Sequence, residues 1–170
     1  MAHAYSPADW AGFFTAVTGA AAALTGLLFV AVSINSQIIL QEKSMLPARA
    51  AETLAILLFV VVSAGLALVP QNVRVLGAEI LLIAIPLTVV TVRNQLRFWR
   101  ANPDLPAYWS VARMSSSAAA LLPGLLAGVS LAATWGGGFF WLVPTGLLGI
   151  AVRLQRVGAA RRDHALRSTL

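Results

Sequence analysis

Few residues in this chain could do chemistry, and the most suggestive is a glutamate inside an apolar segment. Glu79 falls within the stretch from about Val73 to Val92, on the side near Arg74. Carboxylates inside a membrane are costly and often mark ion or proton paths. The alternative, favoured by its shallow position, is that Glu79 faces other helices and pairs with Arg74 or a headgroup. We expect an intramembrane polar site at Glu79 and Arg74, with both interpretations kept as alternatives.

Other residue types that carry catalysis are scattered or missing. The 2 histidines, His3 and His164, are predicted on opposite sides of the membrane, so they cannot share a metal ion or a triad. The absence of cysteine excludes disulfides and thiolate metal sites. No zinc-protease, nucleophile-elbow or phosphate-loop motif occurs. We expect no catalytic residue, metal site or cofactor, and thus a protein that is not an enzyme.

The elements that position these residues are five apolar segments. A transmembrane helix needs about 20 consecutive apolar residues, and this chain is 59% hydrophobic and only 11% charged. The sequence therefore predicts an all-α membrane protein, a five-transmembrane-helix bundle that forms a single domain over residues 1–170. The predicted spans lie at about 10–34, 50–69, 73–92, 115–134 and 135–152, with tight turns at 70–72 and 136–138 and a basic tail at 153–170.

Basic residues are distributed unevenly over the predicted connections. With five spans, one side of the membrane carries Arg74 alone. Because basic residues are retained in the cytoplasm, the pattern predicts an outside N-terminus and a cytoplasmic C-terminus. The excess of arginine over lysine and the high alanine and glycine content indicate a bacterium with a GC-rich genome, and hence its plasma membrane. The predicted cytoplasmic residues are Lys43, Arg49, Arg93, Arg97, Arg100, Arg113, Arg153, Arg156, Arg161, Arg162 and Arg167.

A long connection is expected from Arg93 to about Arg113. At its start, Arg93, Arg97 and Arg100 recur at spacings of four and three, which places them on one helical face. We expect helix three to continue here into the headgroup layer, with these arginines contacting lipid phosphates. Nucleic acid is not expected as a partner, because the charges border apolar spans.

Small residues recur at four-residue spacing on two of the predicted helices. Such faces let helix backbones approach closely. They could bind a second copy or another partner, or they could pack within the bundle, which is the commoner case. The candidate helix-packing or partner face comprises Ser116, Ala120, Gly124, Gly128 and Ala132 in helix four, and Gly12, Ala16 and Ala20 in helix one.

Two further polar features have structural interpretations. Glu52 lies at the predicted start of helix two, where an acid in the first turn interacts favourably with the helix dipole. The serines at 115–117 are expected to mark the membrane interface at the start of helix four. We therefore assign no chemistry to either feature.

The stretch AYSPADWAGFFTAVTGAAAALTGLLFVAVSIN and the PARAAETLA segment after it carry a family resemblance. They resemble a family of small actinobacterial membrane proteins, some of which are labelled modulator of FtsH protease. The resemblance covers roughly the first 70 residues and the hydropathy of the rest. It implies an integral membrane protein without known chemistry, and it carries over no functional residues.

Two functions follow as expectations. The first is a non-enzymatic integral membrane accessory protein that binds or modulates another membrane protein, with a membrane protease suggested by the resemblance. The alternative is a subunit of a homo-oligomeric channel or transporter, in which Glu79 would line the path. The expected partners are membrane lipids and either another membrane protein or a second copy of this chain.

Overall fold

The computed structural model describes residues 5–34, 46–101 and 107–148, of which 46–49 and 107–113 are described by their backbone alone. All regular structure in these ranges is helical, which confirms the all-α prediction. The helices are α1 (Pro7–Ile34), α2 (Leu46–Leu68), α3 (Val73–Ala101), α4 (Ala107–Ala133) and the shorter α5 (Gly138–Leu148), whose first turn is a 3₁₀ helix. The end of the predicted fifth span and the basic tail lie outside the described residues.

The four long helices are long and apolar enough to cross a membrane, which makes the chain a multi-pass membrane protein. Their outward faces carry large apolar side chains such as Phe29, Leu82 and Leu122, which lipid can solvate and water cannot. At about 1.5 Å per residue, α3 is about 44 Å long, which exceeds the hydrocarbon thickness of about 30 Å. One end of α3 therefore extends beyond the apolar layer.

Helix boundaries differ from the predicted ones where the chain leaves the apolar layer. α3 runs to Ala101, as the spacing of Arg93, Arg97 and Arg100 predicts, but α4 begins at Ala107 and not at about 115, so the long connection expected up to Arg113 is largely helical. No proline or glycine occurs between Pro86 and Pro103, so nothing in the sequence stops the helix once it is solvated by headgroups. Hydropathy detects where a helix leaves lipid, not where its hydrogen bonding ends.

Two helices also start earlier than predicted, and the fifth starts later. α1 begins at Pro7 and α2 at Leu46, in line with the preference for proline in the first helical turn. The fifth helix was expected from Trp135 but begins at Gly138. Residues 134, 136 and 137, which precede this helix, have positive φ angles, and that backbone conformation does not belong to a right-handed helix.

The bundle consists of two helix pairs. α1 packs mainly against α2, and α3 packs mainly against α4, whereas α2 and α3 share a smaller contact. The short connection from Val69 to Asn72 joins the pairs at one end, which we call the turn end. The opposite end carries the first turns of α2 and α4 and the last turns of α3. The buried core lies between the pairs and includes Ile56, Phe59, Ile80, Ala127 and Leu131.

α3 and α4 approach each other through backbone rather than through side chains. A Cβ atom built on Gly77 would lie 2.3 Å from the backbone nitrogen of Ala132 and 2.8 Å from the carbonyl oxygen of Gly128. A Cβ on Gly128 would lie 2.7 Å from Cγ of Leu81. Only glycine fits at Gly77, and van der Waals contact at such close crossings is a main source of helix association in lipid.

At Gly124 the close contact is with a side chain and not with backbone, and that side chain comes from α2 in the other helix pair. A Cβ on Gly124 would lie 2.7 Å from Cε1 of Phe59, and 3.5 Å from Cγ2 of Thr145 in α5. Phe59 is fully buried, at 2% exposure. The contact across the two pairs at mid-bundle is thus an aromatic ring seated against a glycine.

We expect Gly124→Ala to lower the free energy of unfolding by about 1 kcal/mol, because the Phe59 ring must move aside. Phe59→Leu makes room for the new methyl group, so the double variant should lose less than the two single losses added together. Unfolding by SDS titration in micelles, followed by circular dichroism, measures all three values. Strict additivity would show that ring and glycine are not in contact.

The turn end is held together by hydrogen bonds around Ser130. The Ser130 hydroxyl accepts a hydrogen bond from the Gly138 backbone N–H (2.7 Å) and donates to the Trp135 carbonyl. The Trp141 indole donates to the Gly136 carbonyl at 2.7 Å. The φ angles of Gly136 and Gly137 are +85° and +116°, a conformation that glycine adopts without strain. The glycine run therefore forms the predicted tight turn between the fourth and fifth helices.

Aromatic rings from α1 and α5 pack together at this same end. Trp10 meets Phe140 edge to face, with ring centroids 4.9 Å apart, and Phe14 lies 5.4 Å from Phe139. The backbone N–H of Gly137 donates to the Tyr5 hydroxyl at 3.3 Å. These contacts fix α5 against the start of α1.

Candidate functional site

Three polar side chains from three helices meet at the end of the bundle opposite the turn end. The Gln95 side-chain amide donates to Oε1 of Glu52 at 2.8 Å and to Oγ of Ser117 at 2.9 Å. The Ser117 hydroxyl donates to the same carboxylate oxygen at 2.6 Å. We call these three residues the polar clasp. They lie 43 and 65 positions apart along the chain from Glu52, so only the tertiary fold brings them together.

The clasp is enclosed by the helices that carry it. Gln95 is 6% exposed and Ser117 is 2% exposed, while Glu52 is partly buried. Thr91, one turn before Gln95 on the same face of α3, is also buried. Buried polar groups in an apolar surrounding must be hydrogen-bonded to avoid a large desolvation cost, and the triangle of hydrogen bonds provides that here.

The expected role of Glu52 therefore changes. It was expected in the first turn of helix two as a partner of the helix dipole, but α2 begins at Leu46 and has no acidic residue in its first turn. Ser117 likewise faces the interior and not the membrane interface. Sequence reasoning missed the clasp because its signal is a match between three polar residues on separate helices, and no spacing within one segment reveals it.

Glu79, the carboxylate singled out from the sequence, lies near the turn end. Its Oε2 accepts a hydrogen bond from the Gln71 side-chain amide at 2.8 Å. The Arg74 guanidinium is not its partner: Arg74 is exposed, and its backbone N–H donates to Oδ1 of Asn72 at 3.0 Å, which caps the start of α3. The structure thus places Gln71, and not Arg74, against Glu79.

The three arginines of α3 lie on the helical extension beyond the apolar stretch. Arg93, Arg97 and Arg100 are all exposed, and Trp99 beside them is 54% exposed. Arg74 lies at the other end of the same helix. The exposed cations of α3 are therefore concentrated at the end that carries the clasp.

The small residues of the fourth helix mostly face the bundle interior. Ala120, Gly124 and Gly128 are buried, and Ser116 and Ala132 are partly buried. Gly124 contacts Phe59 of α2, and Gly128 contacts the Leu81 side chain of α3. This part of the candidate face is thus occupied by helices of the same chain.

The small residues of α1 are placed differently. Gly12, Ala16 and Ala20 are all exposed. A continuous line of exposed small residues runs along the helix at alternating spacings of four and three, and we call it the α1 seam. Its members are Gly12, Ala16, Gly19, Ala23 and Gly26. A Cβ built on any of its three glycines would meet no atom within 4 Å.

The α1 seam lies on the side of the helix away from the bundle. The buried residues of α1 are Phe14, Val17 and Ala21, and at 100° per residue they lie roughly opposite the seam. The ladder at strict four-residue spacing predicted from the sequence drifts around the helix, so Ala20 lies at the edge of the seam. Alternating four and three is the spacing that keeps one face in line, as in helix pairs that coil around each other.

The space between α1, α2 and α5 is nearly filled. A cavity of about 10 Å³, lined by side chains that include Phe14, Val60 and Leu142, has room for little more than one water molecule. An open groove of about 600 Å³ runs along the turn end between the start of α1 and residues 67–71, and its lining is apolar apart from Gln71. Within the described ranges, no three His, Asp or Glu side chains come together as a metal site would require.

Comparison with known proteins gives no match: no family model, curated protein or solved structure is similar to this chain.

Proposed function

We propose that this chain is a non-enzymatic accessory protein of the membrane, which binds another membrane protein through α1. The observation that carries the proposal is the low burial of α1. Only 11% of the residues in its 18-residue membrane-spanning stretch are buried, against 39%, 28% and 44% in the corresponding stretches of α2, α3 and α4. Most of the surface of α1 therefore remains uncovered and available to a partner.

The chemistry of the α1 seam supports a helix as that partner. In lipid there is no hydrophobic driving force between apolar helices, so association depends on close packing, and small residues permit it. The seam offers shallow open positions over most of the span, from Gly12 to Gly26. A second helix crossing it would come as close as α3 comes to α4 at Gly77.

We further propose that the N-terminus lies outside and the C-terminus lies in the cytoplasm of a bacterial cell, with the chain in the plasma membrane. The basic residues support this orientation, since exposed Arg93, Arg97 and Arg100 lie at one end of α3 and basic residues favour the cytoplasmic side. In this orientation the three arginines contact anionic headgroups. The family resemblance adds a membrane protease as the candidate partner.

Substitution at the seam tests the function. We expect Gly19→Leu, alone or with Gly12→Leu, to remove a membrane protein that co-purifies with the tagged chain at near-equal amounts, reducing its recovery at least about tenfold, since 1.4 kcal/mol of lost affinity is a factor of ten. Ala118→Leu is the matched control, because Ala118 is also small and exposed but lies on α4. Quantitative mass spectrometry of gently solubilised membranes measures the recovery.

Neither seam variant should unfold the chain, because nothing packs on these positions. The proposal fails if the wild-type chain is purified as a lone monodisperse monomer. It also fails if the partner is lost equally from the Gly19→Leu and Ala118→Leu preparations. Recovery of only a second copy of the chain would favour the homo-oligomer alternative.

A further inference from the structure

The two helix pairs are joined unequally along their length. At the turn end the short connection from Val69 to Asn72 is covalent and cannot open. At mid-bundle the contact from α2 to α4 is the Phe59 ring against Gly124. At the far end, hydrogen bonds of the polar clasp connect Glu52 on α2 to Gln95 on α3 and Ser117 on α4. The direct contact between α2 and α3 is smaller than the contacts within either pair.

The contacts within the α3–α4 pair differ in kind from those across the two pairs. α3 and α4 are fitted backbone to backbone at Gly77, Gly128 and Ala132, a fit that is lost as soon as the helices shift. Across the pairs, by contrast, the Phe59 ring can move away from Gly124, and the hydrogen bonds of the polar clasp can break, without any rearrangement of the helix backbones. These contacts permit a hinge at the turn end, where α5 also packs on α1, with α3 and α4 moving as one body relative to α2.

The surface that such a motion would uncover at the clasp is polar. Gln95, Ser117 and Thr91 are buried between the pairs at the clasp, whereas the core nearer the turn end is apolar, with Ile80, Leu76 and Ala67. Water can replace the hydrogen bonds of the clasp when it opens, but it cannot solvate the apolar part. Opening is therefore limited to the clasp and the turn of helix next to it.

We propose that the polar clasp is a latch between the two helix pairs, and that its release opens a hydrated cleft between α2 and the α3–α4 pair. The cleft would expose Thr91, Gln95 and Ser117 to the solution at that end of the membrane. This inference goes beyond the proposed partner binding and does not depend on it, because the clasp and the α1 seam lie on different helices. A bistable arrangement of rigid helix pairs is a common means of switching in proteins.

Distances between spin labels test the latch directly, because the chain contains no cysteine and labels can be placed at will. One label pair, Ala51→Cys with Ala118→Cys, spans the two helix pairs at the clasp. A second, Leu68→Cys with Ala133→Cys, spans them at the turn end. All four positions are exposed. Pulsed dipolar spectroscopy in lipid nanodiscs measures both distance distributions.

In Gln95→Leu we expect the distribution at the clasp to shift outward by roughly 5 Å, the scale of one helical turn, while the distribution at the turn end stays unchanged. Ser117→Ala keeps the hydrogen bond from Gln95 to Glu52 and should give a smaller outward shift. This variant tests the latch if Gln95→Leu does not fold. The latch is refuted if the clasp distribution is the same in the wild type and both variants. It is equally refuted if both label pairs broaden together, since that indicates general loosening.

Discussion

Replacing Gly77 by alanine should destabilise the protein more than any other single methyl group added to the bundle. The new Cβ would lie 2.3 Å from the Ala132 backbone nitrogen and 2.9 Å from its Cα. These are backbone atoms of a helix, so they cannot rotate away as a side chain can, and α3 must move off α4 along its length. We expect a loss of about 3 kcal/mol in the free energy of unfolding, at the upper end of the usual cost of overpacking.

Gly65→Ala is the matched control for that substitution. Gly65 lies inside α2, and a Cβ there would meet no atom within 4 Å. Because alanine restricts the unfolded chain more than glycine does, Gly65→Ala should be neutral or should stabilise by about 0.5–1 kcal/mol. SDS titration of the two variants under identical conditions measures the difference. A Gly77→Ala protein as stable as the wild type would mean that α3 and α4 do not cross at this glycine.

The second large effect is expected at the polar clasp. Gln95→Leu removes the amide that donates to both Glu52 and Ser117. The carboxylate keeps the hydrogen bond from Ser117, but the buried Ser117 hydroxyl no longer accepts one from Gln95. Hydrogen bonds to charged groups contribute about 1.5–3 kcal/mol, and an unsatisfied buried group adds its own desolvation cost. We expect the free energy of unfolding to fall by about 2–3 kcal/mol.

Gln71→Leu supplies the comparison, because the same side chain is replaced and one hydrogen bond to a carboxylate, Glu79, is lost. Gln71 is only partly buried, unlike Gln95, and lies in the connection at the turn end, where water and headgroups can take over the lost bond. We expect Gln71→Leu to lower the free energy of unfolding by less than about 1 kcal/mol, the usual contribution of an accessible polar pair. Equal losses in the two variants would contradict a special role for the clasp.

The features of this fold and of the polar clasp that could be predicted from the sequence are the local ones. The spans follow from hydropathy, because an apolar stretch long enough to cross lipid has few other stable conformations. The tight turn before α5 follows from the glycine run, since residues 136–138 need positive φ angles that other residues rarely adopt. The continuation of α3 past Arg93 follows from the spacing of its arginines, whereas the start of α4 at Ala107 was missed, because polar residues outside the lipid layer carry no hydropathy signal.

Which small-residue face is occupied could not be predicted, because the two faces look alike in sequence. The line through Gly124 and Gly128 is filled by Phe59 and Leu81 of the same chain, while the α1 seam is not filled. Deciding between them requires knowing which side of each helix faces the bundle. In α1 that side is set by Phe14, Val17 and Ala21, in a helix whose residues are apolar all round.

The polar residues illustrate the same limit. Glu79 attracted attention because it stands alone in an apolar segment, yet its partner is the nearby Gln71 at the turn end. Glu52 looked unremarkable at a helix start, yet it accepts hydrogen bonds from two other helices. The cost of burying a carboxylate is set by what surrounds it in space, and in this bundle those surroundings come from α3 and α4.

Photo-crosslinking from the α1 seam in intact cells tests the central claim most directly. A photoreactive amino acid at Ala16 lies on the seam, and the same group at Leu82, which is 75% exposed, reports on an exposed apolar face of α3. We predict that Ala16 gives one discrete protein adduct, which the added Gly19→Leu substitution abolishes, and that Leu82 gives none. If Ala16 yields no protein adduct, or yields the same adducts as Leu82, the α1 seam faces lipid and the proposed function is wrong.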